Sequence, residues 1–259
     1  MISRKSQREI GQMRRAGRIV AEVLALVESE LRPGMTTGEL DRLAEEHIRR
    51  SGATPSFKGY LGGGRYGKGP HAFPASTCVS IDSEVVHGIP SDRLIRDGQL
   101  VSVDVGAIVD GWHGDAARTF IVGTVEPAVV ELVEATRLAM MAGIGTAVAG
   151  HRVGDISAAV EDVAKPHGYG VVRQFVGHGI GTEMHQDPQV PNYRTGTRGP
   201  ELQPGVCLAI EPMFTLGGAA VRVQPDGWTV VTADGSLAAH FEHTIAVTEN
   251  GPEILTSIG

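Results

Sequence analysis

The chain repeats itself, and that repeat limits its possible folds more than any other feature. Gly34-Met-Thr-Thr-Gly-Glu-Leu returns as Gly150-His-Arg-Val-Gly-Asp-Ile, which brings Gly38 onto Gly154, Glu39 onto Asp155 and Gly52 onto Gly168 at one constant offset. A second echo lies in strand-like segments, where Gly98-Gln-Leu-Val-Ser-Val-Asp104 matches Gly205-Val-Cys-Leu-Ala-Ile-Glu211. Helices fill the space around the first echo. Ser6-Gln-Arg-Glu9 has the form of a capping box, and Ile10, Met13, Val20, Leu24, Val27 and Leu31 follow at helical spacing. Pro33-Gly34 ends that helix, and Thr36 to Glu39 opens another through Leu40, Leu43, Ala44 and Ile48. Pro127 suits an early helix position, Val129 to Val148 reads as helix, Gly150 breaks it, and Asp155 begins a fourth. Two helices followed by strands, twice over, predict an α+β fold with a pseudo-twofold repeat spanning about 6–123 and 126–250. One long sheet backed by helices is the natural packing. No Ser/Pro-rich linker parts the halves, so residues 1–259 are read as a single domain.

The repeat carries acids with it. Small residues, Ser102 and Ala209, stand two before Asp104 and Glu211, and residues two apart in a strand share a face, so each carboxylate has room beside it. A further acid opens each following apolar run, Asp115 before Thr119-Phe-Ile-Val and Glu242 before Thr244-Ile-Ala-Val. Asp110-Gly111 between two strand-like runs is a two-residue hairpin signal. It sets Val109 opposite Trp112 and Asp104 opposite Ala117, placing Asp115 diagonally across from Asp104 on the same face. Diagonal neighbours lie roughly 7 to 8 Å apart, too far for a hydrogen bond and well suited to sharing an ion. Buried acids on one face repel one another unless a cation lies between them, and four carboxylates neutralise two divalent ions.

The segment Gly177-His178-Gly-Ile-Gly181-Thr-Glu-Met-His185 sets two imidazoles among glycines, which leave room for close approach, and both histidines read as functional. His87, in Val-Val-His87-Gly-Ile-Pro90, stands open between a structural and a functional role. For His47, His71, His113, His151, His167, His240 and His243 the structural role is the default. Gly62 to Lys68 resembles the front of a phosphate loop, yet Gly69 stands where a Ser or Thr should hold magnesium, so a flexible surface loop is expected. Cys78 has no basic neighbours to activate its thiol and is read as lining a pocket.

Composition narrows the setting. Only Cys78 and Cys207 are present, the opening residues lack the apolar core of a secretory signal, and no apolar run approaches a membrane span, so a cytoplasmic protein is expected. At a net charge of -7, a nucleic-acid role would need a clustered basic stripe. Arg4, Lys5, Arg8, Arg14, Arg15 and Arg18 form the one dense cluster; a solvated helix face is its default reading, and transient ribosome contact the alternative.

In the segments VSVDVG, HGDAART, GHGIG, AIEPMF and FEHT, with VHGIP and MHQDP beside them, the chain resembles type I methionine aminopeptidases, members of the pita-bread metallohydrolases. The resemblance covers nearly the whole chain. It implies a curved sheet backed by helices, and two divalent ions that could be cobalt, manganese, iron or zinc. Asp104 would bind one ion, Asp115 and Glu242 would bridge both, and His178 and Glu211 would complete the second. Glu211 would also accept a proton, with His87 and His185 acting at the substrate. A methionine pocket would be built from Tyr60, Phe73, Cys78, His87, Met184 and Trp228. The expected reaction is removal of the N-terminal methionine from nascent proteins whose second residue is small, by a monomer without membrane attachment. A proline-specific peptidase of the same fold and a catalytically silent peptide-binding relative are the alternatives. Three departures bear on the pocket: a long stretch from Leu61 to Ala72, Phe57 where many members carry cysteine, and Met184 where an aromatic is common.

Overall fold

The computed structural model describes residues 2–62 and 71–258. The expected loop at Gly62 to Lys68, apart from Gly62 itself, and most of the Leu61 to Ala72 stretch lie outside them. Helix α1 (Gln7–Glu30) starts where Ser6 and Glu9 exchange bonds, the Ser6 N–H donating to Glu9 Oε2 at 2.7 Å and the Glu9 N–H to Ser6 Oγ at 3.4 Å. These bonds satisfy N–H groups that have no partner inside the helix. Thr36 and Glu39 build the same box for α2 (Thr37–Arg50). The second half keeps part of it: the Arg152 N–H donates to Asp155 at 2.8 Å before α4 (Val153–Ala164), and since the arginine side chain has no acceptor, the Asp155 N–H bonds the Arg152 carbonyl at 2.9 Å. Helix α3 (Pro127–Thr146) stops two residues before the expected Val148, because the Ala147 N–H closes a turn on the Ile144 carbonyl.

The matched glycines have a shared cause. The Gly38 N–H donates to the Ser91 carbonyl at 2.8 Å, and the Gly154 N–H to the Arg198 carbonyl at 2.9 Å. A Cβ at these positions would lie 3.1 and 2.9 Å from those oxygens, so each helix start needs glycine to meet the chain entering the next strand. Gly34 and Gly150 likewise bond Ile95 and Leu202, each at 2.9 Å.

The first half supplies β1 (Thr54–Pro55), β2 (Thr77–Ile81), β3 (Glu84–Val86), β4 (Gln99–Val109) and β5 (Trp112–Val122). The second supplies β6 (Gly170–Val171), β7 (Gly177–Gly179), β8 (Gln186–Val190), β9 (Cys207–Ile210), β10 (Met213–Thr215), β11 (Val221–Val223), β12 (Val230–Thr232), β13 (Ala238–His240), β14 (Glu242–Thr248) and β15 (Gly251–Ile254). The main sheet of nine strands runs β1-β4-β5-β14-β9-β7-β8, with β2 on β4 and β15 on β14. Two three-stranded sheets, β13-β10-β6 and β11-β12-β3, accompany it, which the single expected sheet did not include. The β13-β10-β6 sheet parts from the main one at Pro212, between β9 and β10, where proline has no N–H to donate to a continuing ladder.

Alternation along the strands divides the main sheet into two faces. Val101, Val103 and Val105 of β4, with Ala116 and Phe120 of β5, pack under α1 and α2 with Val20, Val27, Leu40 and Ile48. Leu208 and Ile210 of β9, with Ile245 of β14, pack under α3 and α4 with Leu132, Met140, Ile156 and Val160. At about 1.5 to 3 kcal/mol for each fully buried aliphatic side chain, this packing fixes the sheet firmly on one side. The opposite face is left for Asp104, Asp115, Glu211 and Glu242.

The basic cluster on α1 carries its own counter-ions. Arg14 pairs with Glu253 at 2.7 Å, Arg15 with Asp110 at 2.8 Å and Arg18 with Glu22 at 3.0 Å. Among the described residues no helix is long and apolar enough to cross a membrane.

Candidate metal centre

Register brings the acids together. The hairpin pairs Val109 with Trp112, Asp104 with Ala117 and Asp115 with Gly106, as the two-residue turn at Asp110-Gly111 requires. Glu242 stands across from Ala117 on the next strand, and His243 pairs with Ile210, so Glu211, one residue beyond β9, continues the row opposite Glu242. His178 faces Ala209, two before Glu211. Partners across an antiparallel ladder share a face, as do residues two apart, so all five expected donors project from the same side. Ala117, Ala209 and Gly106 stand between them and leave the space open.

The donors approach one another closely. His178 Nε2 lies 3.5 Å from Glu211 Oε1 and 4.0 Å from Asp115 Oδ2, and ligand atoms of Asp115, His178 and Glu242 all fall within 4.8 Å of one another. Two donors each about 2.1 Å from one ion can be up to about 4.2 Å apart, so both histidine distances suit a shared cation. Asp104 Oδ1, Asp115 Oδ1 and Glu242 Oε1 are buried with no hydrogen-bond partner, an arrangement that a cation satisfies and water-filled bulk does not reach. These residues form a metal-binding site of oxygen donors with one imidazole.

Its electrostatics agree. Burial pushes Asp104 up to about 7 and holds Asp115, Glu211 and Glu242 well above the carboxylate range. Repulsion between the acids adds to this at Asp115, Glu211 and Glu242. Burial holds His178 down at about 4, so its ring is neutral and free to bind a metal.

Beside the donors opens a pocket of about 260 Å³, lined by Tyr60, Phe73, Cys78, His87, Met184, His185 and Trp228, every residue the sequence assigned to it. Phe73 and Trp228 meet edge to face with ring centres 5.3 Å apart. Tyr60 Oη lies 2.6 Å from His185 Nδ1. His87 holds a left-handed backbone, φ 61°, uncommon for a non-glycine residue, and its ring meets Phe175 edge-on. Cys78 stands opposite Asp104, and burial with the acid charges raises its thiol well above the ordinary value. A buried thiol with no cationic neighbour is poorly suited to act as a thiolate nucleophile.

Some neighbours escaped the sequence reading. Val86, Phe175, Val176, Val223 and Val230 also line the pocket; Val86 and Val176 stand beside His87 and His178, but nothing in the sequence marked the others. His240, assigned a structural role, faces the centre with Nε2 3.8 Å from Glu211 Oε2. It precedes Glu242 by two, and the strand period could have placed it on this face.

A family model described as metallopeptidase family M24 matches residues 11–249. A methionine aminopeptidase of Clostridium acetobutylicum is 51% identical over 257 residues, covering 99% of each chain. The crystal structure of a methionine aminopeptidase from Thermotoga maritima superposes with a TM-score of 0.93 at 45% identity, covering 99% of this chain and 100% of that one. A prolidase from Pyrococcus furiosus, at 23% identity and a TM-score of 0.76, shares the fold across 98% of this chain but only 65% of its own. Matched by that model over most of its length and about half identical to such relatives throughout, the chain belongs to metallopeptidase family M24, among its methionine aminopeptidases.

Proposed function

We propose that the protein removes the N-terminal methionine from newly made polypeptides with a small second residue, using two divalent ions. One observation carries the reading: five metal donors share one face of the sheet at the floor of a pocket walled by sulfur and aromatic rings. When bound, the ions acidify a water and stabilise the oxyanion formed at the scissile carbonyl. Asp104, Asp115, His178, Glu211 and Glu242 would hold them, and oxygen donors with one imidazole suit manganese, iron, cobalt or zinc.

The chain's own groups then handle the proton and the substrate. Glu211 takes the proton from the attacking water at Oε1 and returns it to the leaving amine, a role open to a carboxylate at the floor of the pocket. With Tyr60 as the donor across the 2.6 Å to His185 Nδ1, the His185 ring would carry its proton on Nε2, toward the substrate carbonyl region. His87, held neutral at about 4 by burial, sits by the scissile nitrogen. Phe73, Cys78, Met184 and Trp228 receive the unbranched thioether, with sulfur–aromatic contacts of about 0.3 to 1.5 kcal/mol. Nascent chains in the cytoplasm are the substrates this fits, and the two buried free cysteines accord with a reducing compartment.

A peptide panel tests the proposal. Met-Gly, Met-Ala and Met-Ser peptides should be trimmed far faster than Met-Leu or Met-Lys, and N-acetylated forms should resist. Norleucine should be released appreciably, since one methylene discriminates by only about 1 to 3 kcal/mol. Equal rates on Met-Ala and Met-Lys, or preferred release of residues preceding proline, would replace this reading with that of a proline-specific peptidase.

A further inference from the structure

We infer that His240 is a positioning residue for Glu211, donating a hydrogen bond from Nε2 to Oε2 so that Oε1 alone serves the ion and the attacking water. The inference rests on the metallopeptidase reading above. His240 is 2% exposed, and its Nε2 is buried without a hydrogen-bond partner. The atom it faces is Glu211 Oε2 at 3.8 Å, while Glu211 Oε1 faces His178 Nε2 at 3.5 Å. The carboxylate thus stands between two imidazoles, one at each oxygen. A small side-chain rotation closes 3.8 Å to the roughly 2.7 to 3.2 Å of a hydrogen bond.

The strands hold His240 in place for this. It pairs with Met213 in the small β13-β10-β6 sheet, two residues before Glu242 opens β14 of the main sheet. Its N–H donates to Thr119 Oγ1 at 2.8 Å, the same hydroxyl lies 2.9 Å from its carbonyl, and Ser102 Oγ joins the group at 2.8 Å. These bonds hold the backbone of His240, and its ring is buried beside Glu211.

His240 could instead ligate an ion, since its ligand atom falls within 4.8 Å of those of Glu211 and Glu242. Charge decides against a third ion there, while a metal-bound Nε2 on one of the two ions is the outcome that would refute the hydrogen bond. Asp104, Asp115, Glu211 and Glu242 already neutralise two divalent ions, and a further ion between His240 and Glu211 would bury two uncompensated positive charges. A neutral imidazole donating to a ligating carboxylate adds no charge and fixes which oxygen binds.

The test compares donor with volume. Manganese affinity is measured by titration calorimetry for wild type, His240→Gln, which keeps an N–H donor, and His240→Met, which keeps bulk alone. Loss of an outer hydrogen bond typically costs 10 to 100-fold, so His240→Met should weaken manganese binding by about that factor while His240→Gln stays within about threefold of wild type. Wild-type affinity in His240→Met, or equal losses in both variants, would overturn the proposal. Should His240→Met fail to fold, long-range proton–nitrogen NMR on the zinc-loaded wild type decides alone: a protonated Nε2 supports the hydrogen bond, and a bare or zinc-bound Nε2 refutes it. Both readouts omit substrate, so a protein that passes them yet cleaves no methionyl peptide would refute the proposed function and leave this inference standing.

Discussion

Lowering the pH from about 8 to about 6 should weaken binding of divalent ions steeply, because protons and ions compete for the same carboxylates. Burial raises Asp104 to about 7 and drives Asp115, Glu211 and Glu242 in the same direction. A carboxyl raised in the fold keeps its proton at pH values where the unfolded chain has lost it, so the ion-free protein carries protons that a cation must displace. For one group titrating near 7, the proton penalty on binding is a factor of about 11 at pH 6 and about 1.1 at pH 8, so Asp104 alone weakens binding roughly tenfold. Each further proton displaced steepens the dependence. His178, at about 4, is neutral across this window and adds nothing. Titration calorimetry with manganese, in buffers of differing ionisation enthalpy, would read both affinity and protons released. Affinity flat between those pH values, with no proton release, would refute the argument that these acids are crowded and desolvated. The ion-free fold should follow the same sign: the contribution of the raised carboxyls to stability is present below the unfolded carboxyl pKa and is lost as pH rises through about 7.

Two further outcomes follow from the packing. A Cβ at Gly114 would lie 2.5 Å from the backbone nitrogen of Gly17, so Gly114→Ala should force α1 away from β5 and cost about 1 to 3 kcal/mol. A urea melt unchanged from wild type would show that the helix and strand part freely. Iodoacetamide should leave the metal-loaded enzyme active, because Cys78 and Cys207 are 5% and 1% exposed and burial raises both thiols, Cys207 to about 12. Rapid inactivation would mean that the pocket thiol ionises and takes part in the chemistry.

How much of this was legible in the sequence depends on whether a residue's place follows from local periodicity. The hairpin at Asp110-Gly111 fixed the register of Asp104 and Asp115 because a two-residue turn permits one pairing, and the observed partners are Ala117 and Gly106. Glu211 and Glu242 were found because the repeat copies the strand that carries the first acid. His240 was overlooked because β13 and β14 are interrupted at Phe241, and a strand period applied only within each apolar run does not cross that break. Phe175 and Val223 reach the pocket through long-range packing and small sheets. Such contacts leave no periodic trace in the residues that make them.

The seam between the halves shows why the site sits where it does. Only Glu242 with Ala117, and His243 with Ala116, pair across β14 and β5. On either side of those pairs, threonine side chains stand in for the ladder: Asp115 N–H donates to Thr244 Oγ1 at 3.0 Å and receives that hydroxyl on its carbonyl at 2.8 Å. Thr119 does the same for His240 at the other end. The hydroxyl bridges satisfy these backbone groups where the two strands no longer pair directly. Neither half holds enough donors alone, since Asp104 and Asp115 come from the first and His178, Glu211 and Glu242 from the second. The bridges that join the halves therefore also set the distance between the two groups of ligands, so a change at Thr119 or Thr244 acts on the metal centre through the backbone of Asp115 and His240, without touching a donor atom.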